Sequence, residues 1–226
     1  MMQIDLNQKL DQETFLNFFD LKIGGVDFGA GIKKEYPLIS KENYKEYIDD
    51  YYKEHQQELN KSLRDIRNKI SEVEKDFFEG VKNIFGEDFR RNNYYGALSI
   101  FNCNPRYLDK GIFQVYYKKD LLDKLEVVLH ETLHFIFFEY CDNNLKNAVA
   151  DLNKDSGPYW ALSEIFNVVV LNLSEFQKIL QRPEHMFYPD LKNHYYQIKD
   201  IWEEKGEDII KFLEDSLYIL RKEYES

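Results

Sequence analysis

The sequence predicts a mostly helical α+β fold with one small antiparallel sheet, and three observations support this fold class. Long segments rich in Lys, Glu, Gln and Leu without proline predict helices along most of the chain. Two short runs of β-branched and aromatic residues near the middle predict strands. The hydrophobic fraction of 43% and the charged fraction of 31% are typical of a globular protein rather than a disordered one.

The N-terminal part predicts tight turns followed by helix. Residues 21–32 place four glycines among apolar residues, which indicates a strand or hairpin. They do not form a nucleotide-binding loop, because neither G-x-G-x-x-G nor a Gly-Lys-Ser/Thr sequence is present. Between Ser40, a plausible helix cap, and Phe85 the pattern predicts one long helix or two consecutive helices, with Gly86 as the stop.

The middle of the chain predicts the sheet and two apolar helices. Ala97–Phe101 and Ile112–Tyr117 are strand-like, and we expect a hairpin or two neighbouring strands. A helix is expected from about Leu121 to Tyr140, since Asp120 can cap its first turn. A second apolar helix is expected from Pro158 to about Leu173, because proline suits a first helical turn.

The C-terminal part predicts three further helices. A short one starts at Ser174 and is closed by Pro183, and two amphipathic helices cover Asp190–Glu204 and Glu207–Glu223. We expect one domain over residues 1–226, because no linker or repeat divides the chain. Its core would cover about 96–173, with helical elements at 40–86 and 174–226.

Composition excludes several classes of function. Lys and Arg number 30 against 41 Asp and Glu, a net charge of −11, which argues against nucleic-acid binding because that requires a basic surface. Two cysteines cannot form a disulfide framework. The N-terminus lacks the basic and apolar regions of a signal peptide, and no apolar stretch is long enough to cross a bilayer. We expect a cytoplasmic protein that binds no membrane.

One motif points to metal chemistry. Residues 130–134 read His-Glu-Thr-Leu-His, and on a helix His130 and His134 project from the same side and can bind one zinc ion. The intervening Glu131 can act as a general base on water activated by the metal. In a chain of this composition H-E-x-x-H is expected by chance only about 0.01 times. Hydrogen-bonded structural histidines are the alternative interpretation.

Glu164 is the preferred third ligand. It follows His134 by 30 positions and has apolar helical neighbours, where a carboxylate is unfavourable unless it is paired or bound to metal. Asn167, one turn later, can orient it. Asp151 and Asp155, in the preceding loop, are the main rivals, because zinc accepts any carboxylate oxygen.

These features resemble the gluzincins, the thermolysin-like clan of zinc metallopeptidases. The resemblance rests on His-Glu-x-x-His and on the later Trp-x-Leu-Ser-Glu segment, Trp160 to Glu164, and covers about one third of the chain. It implies that His130, His134 and Glu164 hold Zn²⁺ and that Glu131 is the general base. It also implies a strand ahead of the metal helix whose free edge pairs with the substrate backbone. The residues in its position are Ile112, Phe113, Gln114 and Val115.

The clan also uses a downstream His or Tyr to stabilise the oxyanion. Four residues here can serve, namely His185, Tyr188, His194 and Tyr195. His185 and Tyr188 are preferred because Pro183 and Pro189 place them in a loop. The predicted function is a zinc-dependent metallopeptidase acting on a peptide or protein substrate. The alternative is a catalytically inactive, peptidase-like protein that binds or regulates a partner.

Overall fold

The fold is described from a computed structural model, which covers residues 1–224 apart from the side chain of Arg91. It is mostly helical with a small sheet, which confirms the predicted α+β class. The strands are β1 Met2–Leu6, β2 Lys22–Ile23, β3 Val26–Asp27, β4 Tyr94–Ser99, β5 Arg106–Tyr107 and β6 Ile112–Tyr116. The α-helices are α1 Gln8–Phe18, α2 Phe28–Glu35, α3 Tyr44–Glu54, α4 Gln56–Phe85, α5 Leu121–Asn144, α6 Lys146–Val149, α7 Gly157–Leu171, α8 Ser174–Leu180, α9 Lys192–Lys205 and α10 Ile209–Tyr224.

The chain contacts group into two compact units. The first comprises Met1–Glu74 and Asn92–Glu131, and the second comprises Lys75–Arg91 and Thr132–Ser226. Two of the three boundaries fall inside helices, one in α4 and one in α5, and the third lies just before β4. The expectation of a single domain therefore stays a prediction.

The four-stranded sheet of the first unit is mixed rather than antiparallel, with the order β1-β4-β6-β5. Strand β4 pairs in parallel with both β1 and β6, and only β5 runs antiparallel to β6. The two predicted strands are neighbours as expected, but they do not form a hairpin. The reason lies in residues 100–111, because this connection contains β5 and turns back at Gly111, which has a left-handed backbone.

Strand β6 is not at the sheet edge, which corrects the position inferred from the gluzincin resemblance. Strand β5 pairs with Ile112 and Phe113 on the side away from β4. Further along, the Gln114 N–H donates to the carbonyl of Pro105 at 2.8 Å, and the Tyr116 N–H donates to Asn104 Oδ1 at 2.9 Å. The stretch Ile112, Phe113, Gln114 and Val115 thus has protein on both sides, and a substrate strand would have to displace it.

The N-terminal elements are only partly those predicted. The turn formed by Gly24 and Gly25, both at positive φ, joins β2 and β3 into the expected hairpin. The pattern from Ser40 to Phe85 forms two consecutive helices, α3 and α4. Ser40 does not cap them, since α3 begins after Asn43. Strand β1 and helices α1 and α2 were not predicted.

The second unit is built around α7. All its side chains from Tyr159 to Leu171 are buried, and α8, α9 and α10 pack beside it as three helices in the predicted order. Phe166 lies in an aromatic cluster with Trp202 and Phe212. Within the described part of the chain, no helix has both the length and the apolar character needed to cross a membrane.

Candidate metal centre

Helix α5 presents the two motif histidines. It runs without Gly or Pro from Leu121 to Asn144, and Asp120 Oδ1 caps its first turn by accepting the N–H of Asp123 at 2.7 Å. Most of its other side chains near the motif are apolar and fully buried, which fixes the helix in its rotation: Leu125, Val128, Leu129, Leu133, Ile136 and Phe137. His130 and His134 are one turn apart, with His130 partly exposed and His134 fully buried.

Helix α7 supplies the carboxylate. It begins at Gly157 with Pro158 in its first turn, as the sequence predicts. Glu164 lies in the middle of this buried helix and is only 6% exposed. Burying an ionised carboxylate among apolar side chains is unfavourable unless a cation or hydrogen-bond donors face it. Its Oε1 lies 3.4 Å from Nε2 of His134.

His130, His134 and Glu164 form one group that could hold a metal ion. Each offers one ligand atom, and these three atoms lie within 4.8 Å of one another. Zinc bonds of about 2.1 Å in a tetrahedral arrangement separate neighbouring ligand atoms by about 3.4 Å. The His134–Glu164 pair already has that spacing. Two imidazoles and one carboxylate are also the donor set of a catalytic zinc site, so the residues fit this metal.

The rival carboxylates lie outside this group. Asp151 is exposed and bonds to Nη2 of Arg221 at 2.8 Å, and Asp155 is exposed in the loop before α7. Neither offers an oxygen to the cluster formed with the histidines. Asn167 is fully buried on α7, one turn after Glu164, where a residue that orients the ligand is expected.

Glu131 forms a buried ion pair that was not predicted. Nη1 of Arg106, on strand β5, donates to Oε2 of Glu131 at 3.3 Å, and the two side chains are only 8% and 10% exposed. Because Glu131 directly follows His130, this pair lies beside the first candidate ligand. Arg106 falls in the segment interpreted as a turn between two strands, so no pattern in the sequence singles it out.

The four downstream candidates lie in different surroundings. Tyr188 packs edge-on against Trp160, with 5.0 Å between ring centroids, and Trp160 is one turn before Glu164. His185 is exposed. His194 Nδ1 lies 2.8 Å from Glu223 Oε2, and Tyr195 lines an open groove between α9 and the end of α4, with a pKa raised by burial. Of the two preferred residues, Tyr188 contacts the helix that carries Glu164.

Comparison of the chain with protein-family models, with curated proteins and with solved structures finds no match in any of the three. The gluzincin resemblance therefore rests on the motif residues and on their placement on α5 and α7.

Proposed function

We propose that this protein is a zinc-dependent peptidase whose metal ligands are His130, His134 and Glu164. The observation that carries the proposal is the convergence of these three side chains from two helices, with Glu131 next in sequence to the first ligand. The sequence predicts Glu164 as the third ligand from its apolar helical neighbours, and this is the carboxylate that lies with the histidines. Two imidazoles and one carboxylate leave a tetrahedral metal one position for water or substrate.

Zinc bound there would activate water and polarise the carbonyl of the scissile peptide bond. The chain itself supplies the proton transfers. The Glu131 carboxylate takes a proton from the attacking water and then gives it to the nitrogen of the departing amine, so it ends the cycle ionised. Tyr188, packed against the helix of Glu164, remains the candidate for hydrogen bonding to the oxyanion.

Substitution of Glu131 separates catalysis from metal binding. Glu131→Gln keeps the size of the side chain but removes the base, so we expect zinc affinity within about threefold of wild type and turnover lower by about 10²–10⁴-fold. The measurements are zinc titration against a chromogenic chelator and mass-spectrometric detection of cleavage in a mixed peptide library. Glu139→Gln is the matched control, because Glu139 is exposed on the same helix; both properties should remain unchanged.

Two results would contradict the proposal at different steps. If the purified protein binds no zinc on titration, the proposed zinc site is contradicted. Protein that binds one zinc but cleaves no peptide in the library, or cleaves equally with Gln at position 131, would instead favour the inactive, peptidase-like binding protein.

A further inference from the structure

Two arginine–carboxylate pairs of the first unit lie at opposite edges of the same sheet. At the β1 edge, Nη2 of Arg67 pairs with Asp5, and Nε of Arg67 donates to the carbonyl of Ile4 at 2.7 Å. At the β5 edge, Arg106 pairs with Glu131. The Arg67 and Asp5 side chains are 48% and 72% exposed, whereas those of Arg106 and Glu131 are almost fully buried.

The exposed pair needs no explanation beyond its position, because surface ion pairs form readily and contribute little. A buried pair is different, since removing two charges from water is unfavourable and the gain from their attraction seldom exceeds that loss. Apolar side chains of similar volume would hold β5 against α5 at least as well. The burial of Arg106 with Glu131 beside the metal ligands therefore points to a role in the chemistry.

We infer that Arg106 is a positioning residue that holds the Glu131 carboxylate in the orientation needed for proton transfer. This inference rests on the proposed function. The guanidinium group is planar and rigid, and it anchors one carboxylate oxygen, Oε2, in a fixed direction. The anchored group can rotate less about its terminal bond, which keeps it aligned for proton transfer.

Arg106 neither gives nor takes a proton in this scheme. One proton passes from water to Glu131 and then to the leaving nitrogen, while the guanidinium group stays charged throughout because arginine is not deprotonated in proteins. Its contribution is to orientation alone. Substitution of Arg106 should therefore change the rate at which bound substrate is hydrolysed, and not the affinity for zinc or for substrate.

The test compares Arg106→Met and Arg106→Lys with the matched control Arg67→Met. We expect Arg106→Met to lower kcat by about 100-fold with KM within about twofold, since small misplacement of a catalytic group has effects of this size. Arg106→Lys retains the charge but not the planar fork, and its kcat should fall by about tenfold. Arg67→Met should leave kcat unchanged. The substrate is a fluorogenic form of the library peptide that the wild-type protein cleaves fastest.

Two further measurements distinguish positioning from a purely structural role. Guanidinium ion at tens of millimolar should restore part of the kcat of Arg106→Ala, because it can occupy the space beside Glu131, and should not affect Arg67→Ala. In metal-free protein, urea unfolding of Arg106→Met, Glu131→Gln and the double variant should be non-additive, with the double variant more stable than Arg106→Met. Zinc affinity should stay within threefold of wild type in every single variant at position 106.

The outcomes separate this inference from the proposed function. A wild-type protein that binds zinc but has no turnover overturns both. Active wild-type protein with unchanged kcat in Arg106→Met, or with a raised KM and constant kcat, overturns the positioning role alone. Loss of kcat without rescue by guanidinium and with additive unfolding effects would also overturn it, because Arg106 would then act through the fold in general.

Discussion

Two buried carboxylates, Asp11 in the first unit and Glu164 in the second, have opposite surroundings. Asp11 is fully buried on α1 and accepts hydrogen bonds from four neutral donors, namely the Ser99 hydroxyl, the Ile100 N–H at 3.1 Å, the Gln114 amide at 2.9 Å and the Tyr52 hydroxyl at 2.7 Å. Oε1 of Glu164 lies 3.4 Å from Nε2 of His134. Glu164 and the two motif histidines each offer one ligand atom, and these three atoms lie within 4.8 Å of one another.

The difference shows how the surroundings of a buried carboxylate determine what it does. Both oxygens of Asp11 accept two hydrogen bonds each, from donors on α3, β4, β6 and the residue after β4. Asp11 therefore joins α1 to the sheet, and its oxygens are already used. Imidazole nitrogens at the spacing of metal ligands suit a cation instead. Three predictions test this contrast.

The largest effect is expected at Glu164, the proposed carboxylate ligand. The free energy of zinc binding by a structural site is about 10–16 kcal/mol, to which four ligands contribute. Removing one ligand should therefore cost about 3 kcal/mol, which lowers the affinity for zinc by about 100-fold. Glu164→Ala should weaken zinc binding by at least this factor, measured by competition with a chromogenic chelator. Asp11→Ala and Asp151→Ala should bind zinc as wild type does. Unchanged zinc affinity in Glu164→Ala would show that Glu164 is not a ligand, and the contrast with Asp11 would then not hold.

An intermediate effect is expected from the ionisation of Asp11. Burial raises the pKa of this carboxyl to about 6 from its ordinary 3.8, despite the four hydrogen bonds, which lower it. A carboxyl whose pKa is higher in the folded protein than in the unfolded chain destabilises the fold when it is ionised. The resulting decrease in the free energy of unfolding is absent below about pH 4 and reaches about 3 kcal/mol above about pH 6.

Urea unfolding of metal-free wild type and Asp11→Asn at about pH 4 and about pH 7 measures this penalty. The wild type should lose up to about 3 kcal/mol relative to the variant between these two values, since asparagine does not ionise. A pH-independent difference in the free energy of unfolding would show that the four donors fully compensate the burial of the charge.

The smallest effect is expected one turn from the ligand. Asn167 is fully buried on α7 after Glu164, and residues that orient a metal ligand typically contribute 10–100-fold to affinity. Asn167→Ala should weaken zinc binding by about tenfold, about 1.4 kcal/mol, in the same chelator assay. Asn172→Ala is the control, because Asn172 bonds to the carbonyls of Val168 and Glu184 instead. Equal affinities in the two variants would limit the centre to its three ligands.

Much of the fold and the site was predictable because the determining signals are local. The apolar pattern of α5 and α7, the two-helix pattern of residues 40–85 and the spacing of the two histidines all act within a few turns of helix. The direction of the strands was not predictable, because β4 and β6 are joined by a connection that contains a strand of its own. Strand β1 carried no distinguishing signal, and it pairs with residues about 90 positions away.

Local patterns in the sequence indicate which atoms could bind a metal: two imidazoles one turn apart, a carboxylate beside the first and another carboxylate on a second apolar helix. Tertiary structure alone decided that Glu164 and not Asp151 or Asp155 meets them, that Arg106 pairs with Glu131, and that β6 lacks a free edge. The two kinds of contact differ in how far apart their residues lie along the chain. Helical periodicity fixes neighbours three or four positions apart, whereas partners 25 or 30 positions apart are set by the packing of whole elements.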